Sequence, residues 1–171
     1  MRNSFSIKFA IISAYKFYLI CNYITNDIPK DSKKIIYLDH VNDPGNMGTI
    51  IRTALAFDYD GIVVSKDCVS VYNEKVVSAT KGALFLIPIV EGDIKDFDSS
   101  YKVIVSTLSD KTVALNEVKK PEKFVLVLGN EAHGVSQESI DRADLLVKIP
   151  VNNIDSLNVS VAAGILMNHL R

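Results

Sequence analysis

Residues 38–54 read LDHVNDPGNMGTIIRTA. Leu38 closes the short apolar run Ile35–Leu38, and a polar turn follows at Asp43-Pro44-Gly45-Asn46. From Asn46 to Phe57 the pattern is helical. A buried strand feeding a glycine-bearing turn and then a helix is the start of a βα unit. Gly45 and Gly48 permit tight backbone geometry, which suits a turn that something approaches closely. Asn46 lies where helix amides are unpaired and anions are welcome. Arg52, six residues on, offers planar, multi-donor recognition suited to phosphate. Taken alone, the stretch is equally an Asn-capped helix with a surface arginine. It is not a P-loop, because no G-K-[ST] follows the glycines, and no G-x-G-x-x-G is present.

Working outward, short Ile- and Val-rich runs recur at Ile35–Leu38, Gly61–Ser65, Leu86–Val90, Lys102–Thr107, Phe124–Gly129 and Leu145–Pro150. Near-continuous hydrophobicity over such lengths suits strands covered on both faces. Helical candidates lie between them at Asn46–Phe57, Asn73–Gly82, Ser136–Ala143 and Leu157–Leu170, with a short turn near Asp93–Phe97. The alternation predicts an α/β fold, a mostly parallel sheet flanked by helices. The polar stretch PKDSKK, residues 29–34, marks a domain boundary.

In such sheets ligands sit beyond the carboxyl ends of the strands. Two more unusual segments fall there. In LGNEAHGVS, residues 128–136, Gly129 and Gly134 bracket Asn130, Glu131 and His133. Glu131 is placed to accept from a hydroxyl or to pair with Arg52. His133 has no supporting ligand spacing from His40 or His169, so no metal is expected. In IPVNNIDSLNVS, residues 149–160, Ser156 reads as the N-cap of the last helix. Asn158 and Ser160 are polar insertions in a helix otherwise apolar around most of its circumference. Such a helix is either central to the core or buried in a subunit interface.

Composition bounds the function. The 171 residues suit one full-cored domain, 48% hydrophobic and 23% charged, with a formal net charge of −1. No global basic field advertises nucleic acid, so such a partner needs a local patch. Residues 1–34 carry six Lys/Arg against Asp27 and Asp31, together with six of the fourteen aromatics. That mixture could grip RNA backbone and stack on bases, or pack as an ordinary strand or helix on the core. Cys21 and Cys68 are too few for a disulfide framework or a zinc site, and reduced thiols point to the cytoplasm. Lys8 and Lys16 interrupt the apolar run from Ile7 to Ile24, which argues against a membrane span.

Three stretches, LDHVNDPGNMGTIIRTALAF, VLVLGNEAHGVS and IPVNNIDSLNVSVAAGILM, together resemble the three motifs of the SpoU/TrmH family of RNA ribose 2′-O-methyltransferases, part of the SPOUT superfamily. The resemblance spans residues 35–171. It implies a methyltransferase domain with a C-terminal deep trefoil knot, S-adenosylmethionine as cofactor, an rRNA or tRNA substrate, and a homodimer whose interface completes the active site. By motif, Asn46, Arg52, Glu131, Ser156 and Asn158 would form the catalytic, nucleotide-binding end. Thr107, Leu108, Gly129, Ile149 and Leu157 would contact the cofactor, with STLSD, residues 106–110, as a cofactor loop. Residues 1–34 match neither arrangement known for the family's N-terminus, and would be an extension or a remnant of an RNA-binding domain. The alternatives are a catalytically inactive RNA-binding protein on the same scaffold, and an unrelated doubly wound nucleotide-binding domain.

Overall fold

The computed structural model describes residues 27–109, 111–130 and 132–171, together with the backbone of residues 9–14 and 17–22. Two N-terminal strands, β1 (Phe9–Ala14) and β2 (Phe17–Asn22), pair antiparallel as a separate two-stranded sheet. The basic and aromatic side chains of residues 1–26, and the RNA-gripping role considered for them, lie outside the described residues.

The main body is one seven-stranded sheet. In chain order its strands are β3 (Lys34–Leu38), β4 (Gly61–Val64), β5 (Ile89–Glu91), β6 (Lys102–Ser106), β7 (Val113–Ala114), β8 (Phe124–Leu128) and β9 (Leu145–Lys148). They lie in the spatial order β5-β4-β3-β8-β6-β9-β7, and every pairing is parallel. β8 is inserted between β3 and β6, with Ile36 and Ile104 flanking Leu126. All five of its side chains are buried, as continuous apolar strands of a doubly covered sheet should be.

The helices are α1 (Pro44–Ala56), α2 (Glu74–Thr80), α3 (Gln137–Arg142) and α4 (Val159–Leu170). In α1 the buried Met47, Ile50, Ile51 and Ala54 repeat at i, i+3, i+4 and i+7. Ala163, Leu166, Met167 and Leu170 of α4 follow the same spacing. These two stripes pack on one face of the sheet with Ile36 and Leu38, while Ile35 and Tyr37 point to the other face with Ile94, Phe97 and Tyr101. No helix among the described residues is long and apolar enough to cross a membrane.

Four expectations need correction. The run expected as a strand from Leu86 starts only at Ile89, because Ala83–Phe85 form a 3-10 turn that leaves Leu86 71% exposed. The helix expected from Asn46 starts at Pro44, capped by Asp43, whose carboxylate accepts from Asn46 N at 2.7 Å. The last helix is capped by Asn158 rather than Ser156 and starts at Val159. Finally, Gly45 and Gly48 lie within α1 rather than in a turn, and Gly48 is packed against α2. A Cβ on Gly48 would lie 2.4 Å from Ala79 Cβ and 2.9 Å from Val76 O, so this glycine admits α2. A Cβ on Gly45 would meet only the Asp43 carboxylate, at 3.1 Å.

Candidate active site

β6, β8 and β9 lie side by side, and the loops leaving their carboxyl ends enclose a cleft of about 520 Å³. That volume is within the range of roughly 300–1,000 Å³ usual for small-molecule sites. The walls are Ser106–Leu108 after β6, Leu128–Asn130 and Ala132–Gly134 after β8, and Lys148, Ile149, Val151 and Ser156–Val159 after β9, closed by Ala162. All five residues assigned to the cofactor from sequence, Thr107, Leu108, Gly129, Ile149 and Leu157, are among them. Thr107 is held to the neighbouring strand by donating its N–H to Val147 O at 3.0 Å.

The loop after β8 folds back on its own strand. Asn130 N donates to Gly134 O at 2.8 Å and Gly134 N to Asn130 O at 2.9 Å. The return passes so close that a Cβ on Gly129 would sit 2.5 Å from Gly134 C and 2.6 Å from Val135 N. Gly134 makes the turn at φ 72°, in the left-handed region that favours glycine. The close approach that glycine permits here is between two stretches of the same loop.

The first and third segments also meet. Asn158 Nδ2 donates to Asn46 Oδ1 at 3.1 Å, across 112 residues of chain. Asn158 Oδ1 accepts from Ser160 N at 2.9 Å and Ser160 Oγ at 2.6 Å, capping α4. One amide thus starts a helix and ties it to α1, which explains a polar residue beside so apolar a helix. Ser156 is exposed on the cleft wall. Arg52 is exposed on α1 and is not among the cleft-lining residues; no ion pair engages it among the described residues. Glu131 lies outside the described residues.

Outside the cleft lining, at the end of β3, sits a network that the sequence did not reveal. Asp39, 1% exposed at the end of β3, accepts on Oδ2 from Ser136 N (2.7 Å), Ser136 Oγ (2.8 Å) and Ser139 Oγ (2.7 Å). A buried carboxylate needs this many donors to remain in place. The same group faces the phenol of Tyr37, whose pKa is pushed up to about 12 by burial and then by the Asp39 charge. The only advance signal was a polar residue directly after an apolar strand, opposite the Ser-x-x-Ser of residues 136–139. Among the lining side chains described, Lys148 carries the fixed charge and His133 the titratable imidazole. No group of three or more His, Cys, Asp or Glu among the described residues could hold a metal ion.

Residues 33–168 match the model of the SpoU rRNA Methylase family. The chain belongs to that family. It is 34% identical over 145 residues to the Bacillus subtilis 23S rRNA (guanosine(2553)-2′-O)-methyltransferase RlmP, covering 82% of this chain and 58% of the relative. It thus spans less than two thirds of that curated relative's length. Among solved structures, the AdoMet-bound rRNA methyltransferase from Sinorhizobium meliloti superposes with a TM-score of 0.77 at 34% identity, over 84% of this chain and 57% of the other. The A. aeolicus TrmH/SpoU tRNA modifying enzyme gives 0.72 at 29% identity, over 82% and 74%.

Proposed function

We propose that this protein transfers a methyl group from S-adenosylmethionine to a ribose 2′-hydroxyl of rRNA or tRNA. The observation that carries the reading is that segments 128–136 and 149–160 wall one cleft and segment 38–54 is tied to its rim by the Asn158–Asn46 bond, in a chain of the SpoU family. The cleft suits the cofactor. Leu108, Ile149 and Leu157 offer apolar surface for a nucleoside, and the tight loop at Gly129 brings backbone polar groups to the wall. When bound, the cofactor supplies an electrophilic methyl on a sulfonium. Thr107, Leu108, Gly129, Ile149 and Leu157 are the residues we assign to holding it, largely through loop backbone.

Asn46, Arg52, Glu131, Ser156 and Asn158 are assigned to the target nucleotide. Arg52 binds the phosphate beside the 2′-oxygen and orients that hydroxyl. It is not a general base, because a guanidinium stays protonated with a pKa above roughly 12. Positioning of oxygen and methyl in line can supply on the order of 7–11 kcal/mol of the barrier.

The reading includes a homodimer. Val161 and Ile165, one turn apart on α4, are 52% and 40% exposed, which supports an apolar face covered by a second copy. The exposure of Arg52 away from the cleft supports a site completed across that interface. The reading also includes a C-terminal deep trefoil knot, supported by the insertion of β8 between β3 and β6 with β9 and α4 following it. We place the methyltransferase domain at residues 35–171, treat residues 1–34 as an extension or remnant of an RNA-binding domain, and assign the protein to the cytoplasm, which the free thiol of Cys68 fits. The inactive RNA-binding alternative has no observation in its favour.

Transfer of labelled methyl from S-adenosylmethionine to unmodified total RNA tests the activity, with Arg52→Ala as control. We expect label in RNA and its loss in the control. Undiminished transfer by folded Arg52→Ala would contradict the role given to that residue. A monomer by light scattering at micromolar concentration would contradict the shared site.

A further inference from the structure

The far end of the loop after β8 is tied down by Ser136 on Asp39. Its middle, Ala132 and His133, faces the cleft and is held by a different group. Asn130 Oδ1 accepts from Ala132 N at 2.8 Å and His133 N at 3.1 Å, while Asn130 Nδ2 donates to His40 O at 2.8 Å. Two N–H donors on one side and a carbonyl on the other admit a single orientation of the amide. The carbonyl it reaches is itself fixed. His40 has φ 58°, in the left-handed region, and its N–H donates to Ser65 Oγ at 2.9 Å. Its ring lies between Asp39 Oδ1 (3.0 Å from Nδ1) and Asp67 Oδ2 (3.4 Å from Nε2). The main-chain bond from His40 N to Ser65, which does not involve the ring, holds that carbonyl in place, and the cleft loop hangs from it through one side chain.

We infer that Asn130 is a positioning residue for the cofactor loop, acting through the backbone carbonyl of His40. The imidazole is dispensable to that function; what Asn130 uses is the main chain. The inference rests on the cofactor reading given above. A non-glycine residue in the left-handed conformation is strained and persists where its surroundings over-determine it, and here the surroundings include the acceptor for Asn130.

Asn130→Asp and His40→Gly separate the alternatives. The first keeps the size and the acceptor for Ala132 and His133 but turns a carboxylate oxygen toward the His40 carbonyl. The second removes the ring, keeps the carbonyl and relieves the left-handed backbone. Each variant is titrated calorimetrically with S-adenosylhomocysteine, its melting temperature is recorded, and amide exchange at Ala132 and His133 is followed by NMR without cofactor.

For Asn130→Asp we expect affinity to fall about tenfold or more, with faster exchange at both amides, because a repelled, unpaired acceptor replaces a hydrogen bond. His40→Gly should bind within about twofold of the unsubstituted protein, since glycine accepts the conformation freely. A merely structural Asn130 would lower the melting temperature and leave the affinity of the folded protein intact, which would overturn the inference. Equal loss in His40→Gly would overturn it too, by making the imidazole essential. Should the unsubstituted protein bind no S-adenosylhomocysteine, the cofactor reading itself fails. Exchange then decides the positioning claim: unchanged protection in Asn130→Asp refutes it, and faster exchange upholds it.

Discussion

Two glycine-bearing segments follow adjacent strands of the sheet, one the first turns of α1 and the other a loop, and they do different work. After β3, Gly45 neighbours the Asp43 cap and Gly48 lies beneath Ala79 of α2, so both serve helix geometry. After β8, Gly129 lies against the backbone of Gly134 and Val135, and the loop it permits walls the cleft. On paper both are a glycine pair beside an asparagine at the end of an apolar strand. Glycine marks a close approach in each case, but its neighbour, a helix or the returning chain, decides whether a pocket results.

The sharpest way to break this comparison is to fill both contacts. Gly129→Ala places a methyl 2.5 Å from main-chain carbon that cannot rotate away. A loss of at least about 3 kcal/mol is expected, beyond ordinary overpacking, read as the midpoint of urea denaturation, together with loss of cofactor binding by any protein that folds. Gly48→Ala presses on Ala79 Cβ and Val76 O. It should destabilise by about 1–3 kcal/mol and leave cofactor affinity unchanged well below its melting temperature. If Gly48→Ala weakened the cofactor as Gly129→Ala does, the division of labour would be wrong.

A third substitution, at the opposite end of the strands, calibrates effects remote from both segments. Asp144 Oδ2 accepts from Val103 N at 2.9 Å, and Lys102 Nζ lies 3.1 Å from Oδ1. The Val103 hydrogen bond, followed by Lys102 and Arg142, holds its carboxyl below the ordinary carboxylate range. A lowered folded pKa means that the ionised form stabilises fully above the unfolded value near ~3.9 and loses this as pH falls through the folded value. Asp144→Asn should therefore lose up to about 1 kcal/mol at neutral pH, limited by solvent screening. The gap to the unsubstituted protein should close below pH ~4, measured by thermal melts across pH. Smallest of all, Gly45→Ala meets only a carboxylate at 3.1 Å, and helix propensity favours it. Its stability should shift by less than about 1 kcal/mol in either direction.

The sheet was legible because its strands are buried on both faces and read as unbroken Ile and Val runs: Ile35–Leu38 and Phe124–Leu128 lie where the apolar pattern put them. β7 escaped notice because two residues on an edge, Val113 and Ala114, carry no period. Leu86 misled because an apolar side chain reads the same whether buried or, as here, left in solvent beside a 3-10 turn. The cleft-lining residues Thr107, Leu108, Gly129, Ile149 and Leu157 were reachable only through the family resemblance of the motifs, since no local pattern marks them as cofactor contacts. Ser156 was mistaken for a cap because Ser and Asn both cap well, and only the backbone tells that Asn158 is the residue in place. The contacts that Asp39, His40 and Asn130 make were not reachable. Their partners lie 97 and 90 residues away, and a contact across the switch between β3 and β8 leaves no local pattern.

The most direct test of the account is where the methyl group goes. RNA labelled by this protein with S-adenosylmethionine would be hydrolysed in alkali, which needs a free 2′-hydroxyl to cut the chain. The account predicts label in alkali-resistant dinucleotides, the mark of a methylated ribose. Label released in mononucleotides would place the methyl on a base and contradict the chemistry assigned to this cleft.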